Sequence, residues 1–243
     1  LREVFGGHEE VSIIESSANL GYAAGNNIGL DFIRDSFPRK SFVLVSNNDL
    51  IITETVAEFI TEGIELLENQ RDILAVGPSI VDSGGRQFQS PKFEYKPFAG
   101  FLYSALYPFS YFREKRRRAR LNNRKRPINV FSVNGSFWLF SLRNFADIGF
   151  FSTETFLYWE EEIVGLKASK RGYRIVFDPR FRVIHDHGYS TGRQFSIKSY
   201  YDQFGRSYQY YAAGYPASLV NELNRSIFRY RTIIAKTVKR IIQ

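Results

Sequence analysis

Apolar residues in this chain fall into short runs separated by stretches of helical periodicity. Val11 to Ile14 predicts a short buried strand, and the Gly- and Asn-punctuated segment Asn19 to Asn27 leads into a helix through Leu30 and Ile33. Phe42 to Val45 predicts the next strand, ending in Ser46-Asn47-Asn48-Asp49. Thr53 is placed to cap a helix whose apolar positions Val56, Phe59, Ile60, Ile64 and Leu67 recur at helical spacing. Ile73 to Val76 reads as a third buried strand, closed by Gly77-Pro78. This rhythm of strands and helices predicts an α/β sheet with right-handed crossovers.

The pattern changes after the turn Ser83-Gly84-Gly85. Phe98 to Phe112 is aromatic and uncharged, broken by Gly100 and Pro108, and Arg113 to Arg126 is almost wholly basic. Order resumes with a strand-like run from Val130 to Leu142 containing Asn134-Gly135, then a short helix from Arg143 to Ile148. Phe156-Leu157-Tyr158-Trp159 precedes a helix that begins with Glu160-Glu161-Glu162. Strands follow at Tyr173 to Phe177 and Arg180 to Ile184, the latter reaching His185. From Ser218 onward, apolar Leu219, Leu223, Ile227, Ile234, Val238 and Ile241 alternate with Arg and Lys as a basic amphipathic helix.

The 243 residues suffice for one domain with an appendage, and 24% charged with 44% hydrophobic residues excludes a disordered chain. There is no Cys, which excludes disulfide frameworks, thiolate zinc sites and Cys nucleophiles. No run approaches the roughly 18 apolar residues of a membrane span, and no charged-then-apolar leader opens the chain. The formal net charge of +8 has one source: Arg113 to Arg126 holds nine of the 33 basic residues but one of the 25 acids, leaving 24 of each elsewhere.

Three groups of residues carry candidate chemistry. Asp49, at the carboxyl end of a strand, stands where open α/β sheets place ligands, and with phosphate and water it can hold a hard cation; the plainer reading is a polar turn. Glu160, Glu161 and Glu162 suit the positive end of a helix dipole, yet their aromatic flank can raise the pKa of one of them for general-base work. His185 and His187 lie two residues apart, so an extended strand would turn both to one side.

The order of the motifs is more specific than any one of them. Asn19-Leu20-Gly21-Tyr22-Ala23-Ala24-Gly25-Asn26-Asn27-Ile28-Gly29, Asn47-Asn48-Asp49, Asn134-Gly135, Phe156 to Glu161, Arg171-Gly172-Tyr173 and His185-x-x-Gly188-x-Ser190 resemble the family 2 glycosyltransferases of GT-A fold, especially rhamnosyl- and galactofuranosyltransferase-like members. The resemblance covers Val11 to Tyr201. It implies an α/β, GT-A-like mixed sheet flanked by helices and an inverting, metal-dependent transfer from a nucleoside-diphosphate sugar to a saccharide or lipid-linked acceptor in cell-envelope polysaccharide synthesis. Asp49 matches the last acid of the metal motif, with Asn47 in place of the first, and His185 matches a histidine that completes the metal shell in some members; Mg or Mn is the implied cofactor. Glu161 matches the catalytic base, with Glu for the usual Asp, and Glu160 the acid before it, which helps to hold the acceptor beside Trp159. Asn47, Asn48, Asn134 and Gly135 fall on the donor side.

The resemblance also implies a division into a partial nucleotide-sugar-binding half (1–97), an aromatic and basic insert (98–127), an acceptor and catalytic half (128–217) and the C-terminal amphipathic helix (218–243). Only about ten residues precede Val11, which resembles the family's third strand, so the first βαβ unit is expected to be missing. Together with the Leu1 start and the absence of Met, this makes a fragment or a degenerate copy the expectation. Segments 98–126 and 218–243 suit an anionic membrane surface, which places the chain peripherally on the cytoplasmic face of the cytoplasmic membrane. Nucleic acid is not expected, because the aromatics precede the basic run instead of interleaving with it. The alternative is a non-catalytic GT-A remnant that binds membrane or an anionic polymer.

Overall fold

The structure is a computed structural model that describes residues 2–87, 90–94, 102, 106, 109–185 and 197–215. In chain order the elements are α1 (Arg2–Phe5), α2 (Gly21–Ser36), β1 (Phe42–Ser46), β2 (Leu50–Ile51), α3 (Thr55–Asn69), β3 (Ile73–Val81), α4 (Phe109–Asn122), β4 (Ile128–Val130), β5 (Phe137–Ser141), α5 (Leu142–Asp147), α6 (Glu160–Lys170), β6 (Arg174–His185) and α7 (Ile197–Ala213). One six-stranded sheet runs β1-β5-β3-β6-β2, with β4 also beside β6. β3 and β6 are parallel, and β5 inserts antiparallel between β1 and β3. β6 therefore has β3 on one side, and β4 and β2 at its two ends.

The alternation of side chains along the strands builds two cores. Val43, Val45, Trp138 and Phe140 face α2, α5 and α6, whereas Phe42, Leu44, Phe137 and Leu139 face Val56, Phe59 and Leu67 of α3. On the first face Phe140 stacks on Phe145 of α5, and Phe151 meets both rings edge-on. A third, smaller core joins α6 to α7 through Ile163, Leu166, Tyr208 and Tyr211.

Several boundaries differ from the sequence pattern. Val11 to Ile14 forms no strand: Val11 and Ile14 are exposed, and no described strand lies alongside to pair with them. The helix expected near Leu30 begins earlier, at Gly21. Thr53 does not cap α3; its hydroxyl meets that of Thr55, and its carbonyl accepts the Val56 N–H. Gly77-Pro78 does not close a strand, since β3 continues to Val81, and a Cβ at Gly77 would come within 2.5 Å of Val133. The run Val130 to Leu142 is broken, its parts entering the sheet as β4 beside β6 and β5 beside β1. The two strands expected from Tyr173 to Ile184 are one, β6, with a bulge where the register passes from Pro78↔Asp178 to Ser79↔Arg182. The segment 218–243, and His187 with its neighbours to Ser190, lie outside the described residues.

Gly21 fixes how α2 meets the rest of the fold. Its φ is +78°, and a Cβ would sit 2.1 Å from the Phe156 carbonyl oxygen, while the following N–H, of Tyr22, donates to that oxygen at 3.1 Å. Asn27 continues the seam, its side chain exchanging two hydrogen bonds with the Phe151 backbone. Gly21→Ala combines backbone strain with this overlap and should cost about 2–4 kcal/mol in chemical denaturation. An unchanged midpoint would show that the seam is not tight.

Candidate functional site

The candidate residues gather at one end of the sheet because of strand direction. β1 and β6 run the same way, so Asn47-Asn48-Asp49 and His185 follow or end them on one edge, and antiparallel β5 begins there after the turn at Asn134 to Ser136. Leu50 pairs with His185 across the β2–β6 ladder, which brings Asp49 Oδ1 to 2.9 Å from His185 Nε2. Asn47 N–H donates to the Ser136 carbonyl at 2.9 Å, and Asn134 Oδ1 accepts the Ser136 N–H. Asn48 is exposed.

The same turn reaches the acids of α6. Gly135 N–H donates to Glu161 Oε1 at 3.0 Å, and a Cβ on Gly135 would lie 3.1 Å from that oxygen, so the absence of a side chain permits the approach. Ser132 Oγ donates to the Glu161 backbone carbonyl, and Tyr22 OH donates to the Gly135 carbonyl. Burial first, then the neighbouring acids Glu161 and Glu160, hold the Tyr22 phenol well above its ordinary pKa. It therefore remains a hydrogen-bond donor at neutral pH.

The entry to α6 is strained. Tyr158 and Trp159 have φ of +74° and +70°, conformations costing of order 1–3 kcal/mol each for non-glycine residues. The Trp159 ring stacks on Tyr211 and touches Tyr208 and Phe204, and Ser207 Oγ donates to the Leu157 carbonyl, so α7 over-determines this bend. The bend sets the start of α6 so that Glu161 meets the 134–136 turn. Trp159 is half-buried against α7, and its Nε1 has no hydrogen-bond partner among the described residues.

Two of the acids here share one cation. Lys92 Nζ lies 3.4 Å from Glu162 and 4.0 Å from Glu161. Burial alone would lower the Lys92 pKa, but Glu161 and Glu162 hold it above the ordinary value, so it stays an ammonium. Burial raises the Glu162 pKa against the pull of Lys92. Glu160 is 8% exposed, and its Oε1 is buried with no hydrogen-bond partner among the described residues. Burial, then the neighbouring Glu161 charge, pushes the Glu160 pKa up to about 8. Glu160 is thus mainly protonated at neutral pH beside Glu161, whose carboxylate is held by a backbone N–H and faces an ammonium.

Asp49 and His185 place one carboxylate oxygen and one imidazole nitrogen 2.9 Å apart, a pair of donor types that would suit Mn2+ or a partly hydrated Mg2+. Among the described residues no cluster of three or more metal-type side chains occurs, so a bound cation would complete its shell with phosphate and water.

Over 122 residues, 49% of this chain and 39% of the relative, the sequence is 30% identical to the N-acetylglucosaminyl-diphospho-decaprenol L-rhamnosyltransferase of Mycobacterium tuberculosis, in each of two strains. The match thus spans about two-fifths of that relative's length. No protein-family model matches the sequence. Among solved structures, the Pyrobaculum calidifontis mannosyltransferase in complex with GDP-Man and Mn2+ superposes with a TM-score of 0.53 at 12% identity, covering 98% of this chain and 61% of the other. The fold is GT-A-like.

Within this GT-A-like frame the structure joins Asn47, Asn134, Gly135 and Glu161 through one turn and pairs Asp49 with His185. Sequence reasoning missed Lys92, the hydroxyl of Tyr22 and the pairing of Glu162. An Asn-Gly turn ahead of an apolar strand was a usable signal for the 134–136 corner. For Lys92 there was none, because its partners lie far along the chain.

Proposed function

We propose that the chain is an inverting, metal-dependent glycosyltransferase that moves a sugar from a nucleoside diphosphate to a hydroxyl of a saccharide or lipid-linked acceptor. One observation carries this reading: the 134–136 turn is hydrogen-bonded on one side to Asn47, beside the Asp49–His185 pair, and on the other to Glu161. Donor-side and acceptor-side groups thereby share one rim. The mycobacterial relative's name specifies a lipid-linked acceptor and L-rhamnose, and it supports an acceptor of that class.

Glu161 removes the proton of the acceptor hydroxyl as its oxygen attacks the anomeric carbon. The new carbon–oxygen bond forms while the bond to the diphosphate breaks, and that electron pair leaves on the diphosphate oxygen. When bound by Asp49 and His185, a divalent cation supplies positive charge for the departing diphosphate. Glu160, kept protonated, donates a hydrogen bond to an acceptor oxygen, and Trp159 with Asn48 completes the acceptor and donor walls. No covalent intermediate on the protein is required. In this reading the chain works at the cytoplasmic face of the membrane.

Calorimetry with UDP- and dTDP-sugars in the presence of Mn2+ tests the donor side. Binding should appear with Mn2+ and weaken by about tenfold in Asp49→Asn, the loss of one charged ligand. Equal binding by wild type and variant, with or without Mn2+, would overturn the metal assignment.

A further inference from the structure

We infer that α4 docks the protein on an anionic lipid bilayer through its outward face. The inference deepens the proposed function, because it places the site at the surface that carries a lipid-linked acceptor.

The helix has two faces of different kinds. Ser110, Glu114 and Asn122 are buried, with Arg118 and Leu121 partly so, and these positions recur on one side of the helix. That side is polar and fixed: Asn122 donates to the Ser90 and Arg118 carbonyls and accepts from Ser79, while Arg118 bonds Glu114 and the Pro91 carbonyl. The opposite side carries Phe109, Phe112, Arg113, Arg116 and Arg120, all exposed. Phe109 is 79% exposed and Phe112 56%, and Leu106, ahead of the helix, is 54% exposed.

Large apolar side chains at one end and arginines along the rest of the same face form the pattern of an interfacial helix. The rings enter the headgroup boundary, and the guanidinium groups sit on lipid phosphates. Charge complementarity selects an anionic bilayer: the chain's whole excess of +8 lies between Arg113 and Arg126. Solvation alone accounts for the arginines but leaves the exposed phenylalanines unexplained. Among the described residues no helix is long and apolar enough to cross a membrane, so this contact would be peripheral.

The side of α4 that faces the protein is tied to the acids of α6 through a short strip. Arg117 lies over the Phe93 ring at 4.0 Å, Arg118 bonds Pro91, and between them Lys92 faces Glu161 and Glu162. A bilayer on the outside of α4 would therefore be separated from the proposed base by the helix and this strip.

Co-sedimentation with vesicles tests this without requiring sugar transfer, so its failure is separable from failure of the proposed activity. The full chain should bind vesicles of phosphatidylcholine with roughly a quarter phosphatidylglycerol and not phosphatidylcholine alone, with affinity falling as salt rises from about 0.1 M to about 0.5 M. Phe109→Ser/Phe112→Ser and Arg113→Glu/Arg116→Glu/Arg120→Glu, all at exposed positions, should each weaken binding at least about tenfold while circular dichroism stays unchanged. Absent or charge-indifferent binding by the wild type overturns the inference, as does full binding by both variants, which moves the contact to another segment. Loss on charge reversal with no loss on removing the rings also overturns it, because that result describes a polyanion site.

Discussion

Replacing Glu161 by Gln should reduce sugar transfer by about 10²–10⁴-fold, the range for loss of a positioned general base. The substitution is nearly isosteric, and the amide oxygen can still accept the Gly135 N–H that now meets Oε1 at 3.0 Å. Donor binding and the unfolding midpoint should therefore change little, while turnover under saturating donor collapses. The charge lost opposite Lys92 is partly replaced by Glu162, which stands closer to the ammonium. Turnover equal to wild type would remove Glu161 as the base and leave the acid run as a helix-dipole feature.

Glu160→Gln should strongly change the pH dependence of stability. The Glu160 carboxyl is raised to about 8 in the fold by burial and by Glu161, against an unfolded value of 4.5. Below the unfolded value both states hold the proton, and its contribution to stability is complete. Between 4.5 and about 8 unfolding releases that proton, so stability falls with rising pH; above about 8 the penalty is constant. The full effect is up to roughly 4–5 kcal/mol. Urea unfolding at about pH 5 and about pH 8 should show the wild type losing much more stability than the variant over that interval. Parallel profiles would mean that Glu160 is ionised in the fold, with a partner of its own.

The elements that could be read in the sequence were those whose own periodicity matches their surroundings. Phe42 to Val45 alternates between two cores and forms β1, and the acidic start of α6 falls where the pattern put it. Val11 to Ile14 is as apolar as a strand, but pairing depends on a neighbour, which local pattern does not report. The Val130 to Leu142 run holds a corner at Asn134-Gly135-Ser136, where the polar interruption is short and the apolar residues on either side enter strands with different partners. α4 was hidden because its inward face is polar, with Ser110 buried and Glu114, Arg118 and Asn122 held by hydrogen bonds, so apolar periodicity never marked it as a packed helix.

In the candidate site, Asp49, His185, Gly135 and Glu161 carried chemical identities and positions at element ends that could be recognised locally. Their pairings could not. The 2.9 Å Asp49–His185 contact depends on β2 pairing with the end of β6, and the Glu161 contact on a turn whose shape follows from Asn134. Lys92 is a single lysine in an irregular segment, and its importance follows only from Glu161 and Glu162, which it faces.

The most direct measurement is the anomeric configuration of the transferred sugar, read by NMR on the product formed from a nucleoside-diphosphate sugar, Mn2+ and a lipid-linked saccharide acceptor. A single base at Glu161 with no protein nucleophile requires one displacement, so the product should have the configuration opposite to that of the donor. Retention of the donor's configuration would contradict a direct, base-assisted attack from this site.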